Sequence, residues 1–548
     1  MEVVSNVLVL LLAVVVSTFV IRLLPPKIPA PLIQIAIGAA LYHSGFEMAF
    51  DSHLFLLLFI PPLLFLDGWR IPKGAIFQDW KPILALAIGL VVLTVRGVGL
   101  FIHWLIPSIP LAVAFALAAI LSPTDPVAVA AMTARSPLPS RLTHILEGES
   151  LLNDATGLVC FRFAVAAALT GTFSLASASL SFLLVAGGGV IVGLVSTALI
   201  GRLNRLLVAR VGEDPTSQIL ISLLIPFAAY LGAESLHCSG ILAAAVGGIA
   251  MHYTDLAGRP LAVTRMQRTV VWNTIQAVLN GIIFVLLGEH FPHFLRDLLA
   301  TQTTGGLDSL GRFLGYALAI TMSLVALRFF WVWVALRVTI LRATRRGERK
   351  AMPRTRLIAV TATAGVRGAI TLAGILTLPV VTADGSPFPA RSTVITLAMA
   401  VILFSLLLAA FALPLLTKDL TAALPVAARR TGEQSARVAA AEAALRRLEA
   451  LVAEPADPAT SDARAKAALH LLEDYRRRLD YGELGEDADE VHRVADAEKE
   501  LRLEALRAER DELFRLLHAR GIEENVHQRL LRELDLVESS LHHSPSMH

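Results

Sequence analysis

The chain has 548 residues, of which 55% are hydrophobic and only 17% are charged. Charged residues make up about a quarter of an ordinary soluble domain, so the composition excludes a soluble globular protein over most of the length. The net charge of +3 is small, and the distribution of charge along the chain is more informative. Apolar runs with short loops fill residues 1–416, whereas Arg, Glu, Asp, Ala and Leu dominate residues 417–548. The sequence therefore predicts a transmembrane domain followed by a helical C-terminal domain.

The transmembrane domain contains about 13 apolar segments that we interpret as membrane helices. A spanning helix needs about 20 mostly apolar residues, and its backbone polar groups pair within the segment. The predicted spans are 5–23, 29–42, 53–67, 82–106, 111–133, 143–169, 178–200, 216–235, 239–252, 269–289, 311–341, 356–379 and 391–416. The first run has no basic stretch before it and no small-residue cleavage site after it, so we expect a retained helix.

Basic residues are distributed unequally between the two sides of these spans. The loops on one side carry clusters of Arg and Lys, such as those in 202–210 and 342–356. The other side carries Arg296, with Arg391 at a helix boundary. Because basic loops are retained in the cytoplasm, the first side is predicted to be inside. An odd number of spans then places the N-terminus outside and the tail in the cytoplasm.

The fifth predicted span contains the segment Leu-Ser-Pro-Thr-Asp-Pro at residues 121–126. Pro126 has no amide hydrogen and clashes with the carbonyl group one turn earlier, so the helix is expected to break there. The freed carbonyl groups beside the carboxylate of Asp125 resemble the oxygen shell of a cation. The alternative is a proline kink with a solvated Asp, but a charge in the middle of a span favours a functional site.

The sixth predicted span carries three acidic residues within eight positions: Glu147, Glu149 and Asp154. Residues four apart share a helix face, so Ser150 lies beside Asp154 and Asn153 lies beside Glu149. Three acids cannot all stay ionised in a low-dielectric environment without compensation. At least one of them is therefore expected to bind a proton, a metal cation or an arginine.

Two later spans contain arginines that can supply this compensation. Arg328 lies in the eleventh span, and Arg367 lies in the twelfth between glycines that predict a second helix interruption. The interrupted fifth and twelfth spans occupy corresponding positions in two halves of the domain. Such pairs are typical of inverted-repeat transporters whose site lies at the membrane midplane.

Four segments, in this order along the chain, resemble the monovalent cation:proton antiporters of the NhaP/NHE type. They are SPTDPVAV, GESLLNDATG, AYLGAESLHCSGILAAAVGG and AGVRGAITLAG. The resemblance covers essentially the whole membrane region. Each motif alone is weak, whereas their combination and order are specific.

The resemblance implies a homodimer with 13 spans, in which a core bundle with crossed, interrupted helices moves against a dimerisation bundle. It implies that Asp154 binds cation and proton alternately. Asp125, Ser150 and the backbone carbonyl group of Thr124 would complete the shell of a Na⁺ ion held at Asp154 and Asp125. Because Asn153 precedes Asp154, the resemblance also implies electroneutral exchange.

The resemblance implies roles for further residues around this site. It implies a structural ion pair between Glu149 and an arginine, with Arg328 as the preferred partner and Asn153 nearby. Arg367 matches the second membrane arginine of the family, and Asp67 matches an acidic position in the ion funnel. Two residues depart from the family pattern: Arg96 in the fourth span and Gln276 in the tenth, where an acid is frequent.

These observations together predict a secondary active antiporter that exchanges Na⁺, with Li⁺ or K⁺ as alternatives, for H⁺ across the cytoplasmic (inner) membrane and serves pH homeostasis. K⁺/H⁺ exchange is the close alternative, and a cation channel is a less favoured one. The sequence contains no H-E-x-x-H, G-x-S-x-G or Gly-x-Gly-Asp motif, so enzyme activity is not expected. No cofactor and no nucleic-acid partner are expected, because the transported ions are the substrates.

The C-terminal domain is predicted to be a small helical bundle. Leu445, Leu448 and Leu451 recur at helical spacing, and further helical runs cover 461–483 and about 487–520. The heptads are not sustained, which argues against a long coiled coil. A regulatory or dimer-stabilising role is one interpretation and a passive tail is the other. The histidines at 542, 543 and 548 are expected in a disordered terminus.

Overall fold

The computed structural model describes residues 2–23, 28–46, 52–71, 73–74, 79–133, 138–170, 175–258, 260–301, 306–345, 355–382, 385–418, 439, 442–450, 471–472, 488–518, 530–531 and 533–538. Backbone contacts divide the chain into two compact units, Met1–Leu424 and Pro425–His548. The first unit therefore extends slightly beyond residue 416, the predicted end of the transmembrane domain. The last helix of this unit, α15 (Arg391–Thr417), ends one residue after that predicted boundary.

The first unit is built from helices joined by short connections. In chain order they are α1 (Glu2–Leu23), α2 (Ala30–His43), α3 (Ser52–Arg70), α4 (Trp80–Leu105), α5 (Leu111–Ile120), α6 (Pro126–Thr133), α7 (Ser140–Thr170), α8 (Leu175–Val211), α9 (Pro215–Ser235), α10 (Gly240–Gly258), α11 (Ala262–Thr301), α12 (Gly306–Arg345), α13 (Thr355–Thr363), α14 (Ala369–Leu376) and α15 (Arg391–Thr417). Within the described ranges no strand forms, and an isolated bridge joins Val381 to Pro387.

The chain is an all-helical, multi-pass membrane protein. Each predicted span falls on one of these helices or on a pair of short helices, with α5 and α6 in the fifth span and α13 and α14 in the twelfth. Among the described residues, eight helices are long and apolar enough to cross a membrane. The total of 13 crossings stays a prediction, since the other predicted spans lie on helices or helix pairs that are not among these eight.

Several helices are longer than their apolar segments. The predicted span 178–200 lies within α8, which continues to Val211 through the cluster of arginines that marked its end in the sequence. Arg and Leu are both good helix formers, so a membrane helix continues beyond the apolar layer when nothing breaks it. Predictions based on hydropathy alone therefore placed the helix ends too early here, and also in α11 and α12.

One helix contains a feature that hydropathy does not reveal. The turn from Ala85 to Leu90 in α4 is a π-helix. The indole nitrogen of Trp331 donates a hydrogen bond of 3.1 Å to the carbonyl oxygen of Ala85 at the start of this turn. A π turn disturbs the regular backbone ladder, and here the Trp331 side chain ties α4 to α12 at that point.

Both helix interruptions are built from the residues that predicted them. Helix α5 ends at Ile120, and α6 begins at Pro126, where the missing amide hydrogen costs nothing because it would have no helical partner. Residues 364–368 separate α13 from α14 and include two glycines. Helix α15 packs beside both breaks and is the most buried of the eight long apolar helices.

Helix α3 is held closely against α10. A β-carbon added at Gly68 would overlap the carbonyl oxygen of Ala245, and one added at Gly248 would overlap that of Phe65. Because glycine has no side chain, the two backbones approach closely at these positions, as they do at small residues in other pairs of membrane helices. This contact fixes the position of Asp67, which neighbours Gly68 on α3.

The second unit contains α16 (Ala488–His518) and shorter helical pieces, including 442–450 and 533–538. Arg510 of α16 donates a hydrogen bond of 2.8 Å to Asp535 and a second one to Glu538. Leu445 and Leu506 are buried, whereas Leu501 is exposed. The third predicted leucine, Leu451, most of the predicted helix 461–483 and the terminal histidines lie outside the described residues.

Candidate functional site

The two helix interruptions meet directly in the interior of the first unit. The amide nitrogen of Asp125, in the first break, donates a hydrogen bond of 2.8 Å to the carbonyl oxygen of Val366 in the second. The contact is so close that a β-carbon at Gly368 would overlap the carboxylate of Asp125. The breaks therefore form one crossing point with four helix ends directed toward it.

Charged side chains at the crossing neutralise the partial charges of these helix ends. A carboxylate oxygen of Asp125 accepts hydrogen bonds from the amides of Val127 (2.9 Å) and Ala128 (3.1 Å), at the positive end of α6. The guanidinium of Arg367 donates to the carbonyl oxygens of Ser122 (2.7 Å) and Pro123 (2.9 Å), at the negative end of α5. This pattern matches the dipole of each helix, so both charges stabilise the breaks.

Helix α7 places two polar residues and a glycine against the first break. The hydroxyl of Ser150 donates a hydrogen bond of 2.6 Å to the carbonyl oxygen of Thr124. The amide of Asn153 donates one of 3.0 Å to the hydroxyl of Thr124. Gly157, one turn further along, lies so close that a β-carbon there would come within 2.8 Å of Pro123. The structure thus brings Ser150 and Asn153 of α7 into contact with Thr124 in the first break.

Asp154 is the buried carboxylate of this group. Its side chain is within electrostatic range of Asp67, Asp125 and Glu149, and the residue is only 2% exposed. In the described part of the chain, its Oδ1 atom has no hydrogen-bond donor. A buried acceptor without a partner is costly, so this oxygen requires a proton or a cation.

A second buried acid, Glu149, is neutralised within the protein. Arg328 of α12 donates two hydrogen bonds to its carboxylate, one of them of 2.6 Å, and both side chains are almost fully buried. The remaining Nε–H of Arg328 donates to the carbonyl oxygen of Thr361 at 2.9 Å. The guanidinium therefore links α7, α12 and α13, and Asp154 stays a buried acid of α7 that has no arginine partner among the described residues.

A cavity lies at the crossing point. Asp67, Asp125, Ser150 and Asp154 line it together with Thr124. Further residues line it that sequence reasoning did not assign to the site: Leu63, Gln276, Asn280, Gly368 and Thr371. The hydroxyl oxygen of Thr371 is buried and, among the described residues, has no hydrogen-bond partner.

The residues that sequence reasoning missed differ in how far the sequence could have predicted their place at the cavity. Thr371 lies within the glycine-flanked segment that predicted the second break, so its proximity was available from the sequence. Asn280 stands in an apolar helix without a motif, and its contribution follows from the orientation of α11. Gln276 departs from the family pattern, in which an acid is frequent at this position, and the structure places it on the cavity wall.

Carboxylate, carbonyl and hydroxyl oxygens converge on this cavity. Such hard oxygen ligands suit alkali and other hard cations rather than soft transition metals. Three carboxylates, those of Asp67, Asp125 and Asp154, face this cavity and repel one another when ionised, so a bound cation or proton relieves the repulsion. The arrangement is suited to binding a cation at Asp154 and Asp125 in place of a proton.

Other charges in the spans have separate surroundings. Arg162 donates a hydrogen bond of 3.1 Å to Glu234 and thus neutralises a nearby acid. The guanidinium of Arg337 lies over the ring of Trp333 near the end of α12. Arg96 is exposed on α4. None of these three residues lines the cavity described above.

Two interrupted helices that cross around buried carboxylates are the defining feature of a class of secondary membrane transporters. Sequence comparison agrees, since the transmembrane family of sodium/hydrogen exchangers matches residues 8–419. The chain belongs to this family.

Related proteins extend the similarity to the full chain. The uncharacterized Na⁺/H⁺ exchanger YjcE of Escherichia coli is 38% identical over 99% of both chains. The sodium, potassium, lithium and rubidium/H⁺ antiporter of Bacillus pumilus is 39% identical, over 96% of this chain and 76% of its own. A solved structure, that of the sodium proton antiporter MjNhaP1 from Methanocaldococcus jannaschii, matches 77% of this chain and all of its own. Its TM-score is 0.60 at 18% identity, which supports the fold.

Proposed function

We propose that this protein exchanges a monovalent cation, Na⁺ first, for H⁺, and that both ions compete for the carboxylate of Asp154. The observation that carries the proposal is the buried Oδ1 atom of Asp154, which has no donor among the described residues. It faces a cavity that Asp125, Ser150 and Thr124 also line. Membership of the exchanger family supports the same activity.

Competition for one carboxylate is sufficient to couple the two ions. A bare charge is costly inside a membrane, so the protein changes its access readily when Asp154 holds either ion and poorly when it holds neither. Each crossing then carries a cation in one direction or a proton in the other. At low cytoplasmic pH protons occupy the site, and transport falls.

The surroundings of Asp154 favour electroneutral exchange of one cation for one proton. The residue before Asp154 in the sequence is Asn153, whose side-chain amide is neutral and donates a hydrogen bond to Thr124. Glu149 is paired with Arg328. The carboxylate of Asp125 accepts two backbone hydrogen bonds at the start of α6 and would serve as a cation ligand. Asp154 is then the single group that exchanges its proton.

The choice of cation in this proposal is supported by the names of related proteins. The antiporters of both Bacillus pumilus and Bacillus subtilis are named for sodium, potassium, lithium and rubidium. The Bacillus subtilis protein is 43% identical over 76% of this chain and 62% of its own length. These names support transport of Li⁺ and K⁺ beside Na⁺ and keep K⁺/H⁺ exchange as the second candidate.

The proposal includes the arrangement in the membrane. Residues 1–416 form the exchanger domain with 13 spans in the cytoplasmic membrane, and 417–548 form a helical cytoplasmic domain. The basic loops support a cytoplasmic C-terminus and an N-terminus outside. The resemblance to NhaP/NHE-type proteins supports a homodimer. Asp67 acts in the funnel, Arg367 supports the helix crossing, and no cofactor takes part.

Proton flux in everted membrane vesicles tests the exchange. Addition of Na⁺, Li⁺ or K⁺ in turn should dissipate an imposed pH gradient in vesicles that contain the protein, most strongly with Na⁺. Asp154→Asn should abolish this flux while the protein remains folded and monodisperse in detergent. Asp214→Asn is the matched control, since Asp214 only caps α9 and Asn caps equally well. Flux retained by Asp154→Asn would refute the proposed role.

Stoichiometry is tested in proteoliposomes with equal K⁺ on both sides. Valinomycin then removes any membrane potential that the exchanger itself builds up. Electroneutral exchange should run at the same rate with and without valinomycin, whereas acceleration by valinomycin would show that net charge moves. Cation flux without proton counterflow would identify a channel instead.

A further inference from the structure

An arginine lies one helix turn away from the cavity. Arg70 is the last residue of α3, three positions after Asp67, which lines the cavity wall. Residues three apart on a helix are neighbours on its surface, and these two charges interact electrostatically. A guanidinium that turned onto Asp67 would neutralise this carboxylate. It would also place a fixed positive charge in the path of a cation.

The structure shows the guanidinium engaged elsewhere. Arg70 donates one hydrogen bond to the side-chain oxygen of Gln276 and another to that of Asn273, both on α11. In the described part of the chain it makes no hydrogen bond to Asp67. Three of the five N–H donors of the guanidinium are not used by these two bonds, so the two arrangements compete through position: the rigid plane takes one orientation at a time, either toward the amides of α11 or toward Asp67.

Helix α11 presents these amides as a stripe. Asn273, Gln276 and Asn280 are spaced three and four residues apart and so share one face of α11. Gln276 and Asn280 line the cavity, whereas Asn273 is exposed. An amide oxygen accepts a hydrogen bond from a guanidinium without adding a negative charge of its own. The stripe can therefore hold Arg70 without creating a second cation trap beside the cavity.

Arg70 has little freedom to leave this region by movement of its own helix. Gly68 packs α3 directly against the backbone of Ala245 on α10. Lys73 donates hydrogen bonds to the carbonyl oxygens of Gly68 (2.9 Å) and Trp69 (2.6 Å), at the end of α3. The backbone of Arg70 thus stays beside Asp67, and the side chain alone decides which partner the guanidinium takes.

We propose that Gln276 and Asn273 are positioning residues that keep Arg70 on α11, so that Asp67 stays available to attract the transported cation. The proposal rests on the proposed function, in which this cavity carries the cation to Asp154. Loss of the amide oxygens lets Arg70 turn onto Asp67 and act as an internal competitor of Na⁺. The amide pair therefore sets the apparent affinity for the cation, while the exchange of cation and proton at Asp154 itself is unchanged.

The test measures Na⁺-dependent proton flux in proteoliposomes and separates the apparent KM for Na⁺ from the maximal rate. Gln276→Met keeps the side-chain length and removes the acceptor, and Asn273→Leu does the same at an exposed position. Both together should raise the apparent KM roughly three- to tenfold, the range for one newly formed charge pair near the surface. The maximal rate should stay within about twofold. Thr274→Ala, on another face of α11, is the matched control.

Removal of Arg70 tests whether this arginine causes the change in apparent KM. Adding Arg70→Met to the amide-free variant should return the apparent KM to within about twofold of the wild-type value. Asn273→Gln in the Gln276→Met background should also restore it, because a neutral acceptor for Arg70 is present again. An unchanged KM in the amide-free variant, or a raised KM that persists with Arg70→Met, would overturn the proposal. If the double amide variant does not fold, Asn273→Leu alone should shift the KM in the same direction.

The same assay separates this inference from the proposed function. Wild-type protein without cation-dependent flux, or Asp154→Asn with normal flux, would contradict the antiport mechanism itself. With those two arms as expected, the Arg70 variants report on the amide pair alone. Thermal stabilisation of the purified protein by Na⁺ gives a second readout, since the half-effective Na⁺ concentration should shift in parallel with the apparent KM.

Discussion

The buried ion pair between Glu149 and Arg328 allows a quantitative prediction about stability. Removing one partner of a buried pair costs about 3–5 kcal/mol, because it leaves a charge without compensation. Glu149→Gln should reach this range, since Arg367 is also buried within electrostatic range of Arg328 and both guanidiniums then lack the acid. Arg328→Met should cost less, because Arg367 still partly compensates Glu149.

The double variant Glu149→Gln/Arg328→Met separates charge from packing. With both charges gone, the principal remaining loss is the hydrogen bond from Arg328 to the carbonyl oxygen of Thr361. An unsatisfied buried carbonyl group costs about 1–3 kcal/mol. The double variant should therefore be more stable than Glu149→Gln alone and far from the sum of the two single effects.

The free energy of unfolding can be followed by tryptophan fluorescence during denaturation in mixed micelles. The half-exposed pair Arg162–Glu234 is the matched control, and Glu234→Gln should cost less than about 1 kcal/mol. Additive effects of the Glu149 and Arg328 substitutions would refute the reasoning, as they would show that the two side chains stabilise the protein independently. A cost below about 1 kcal/mol for Glu149→Gln would do so as well.

Two further predictions concern the helix crossing and the end of α3. Gly368→Ala should reduce exchange by roughly 10- to 100-fold in vesicles, because its β-carbon would overlap Asp125 and separate the two breaks. Burial lowers the pKa of the Lys73 ammonium from 10.5 to about 8, against the opposing effect of Asp255. Between these values the unfolded state binds more protons, so wild-type stability should rise from about pH 8 to about pH 10, and Lys73→Met should flatten this rise in thermal unfolding.

Each of these two predictions has a control in the same chain. Gly315→Ala on α12 adds a methyl group where nothing lies within 4 Å, and exchange should be unaffected. Equal losses in Gly315→Ala and Gly368→Ala would contradict the packing argument. Lys81→Met removes an exposed lysine and should leave the pH dependence of stability in place. A steep rise that survives Lys73→Met would show that other groups cause it.

Much of the architecture could be predicted from the sequence, because a membrane leaves few alternatives. Backbone polar groups must pair within each segment, so apolar length alone located the helices. Both interruptions were predictable for local reasons, since Pro126 excludes a continuous helix and the glycines around Arg367 weaken another. The placement of Ser150 beside Asp154, and of Asn153 beside Glu149, follows from helical periodicity.

Only the tertiary structure decided how the segments meet. The hydrogen bond between Asp125 and Val366 joins residues far apart in the chain, and no local pattern encodes it. The same holds for the cavity face of α11, since the shared face of Asn273, Gln276 and Asn280 can be directed toward lipid, protein or an ion pathway. The partners of Arg70 could not be predicted either, because a long side chain chooses among acceptors within reach. That choice depends on the orientation of neighbouring helices, which packing sets and single-helix periodicity does not.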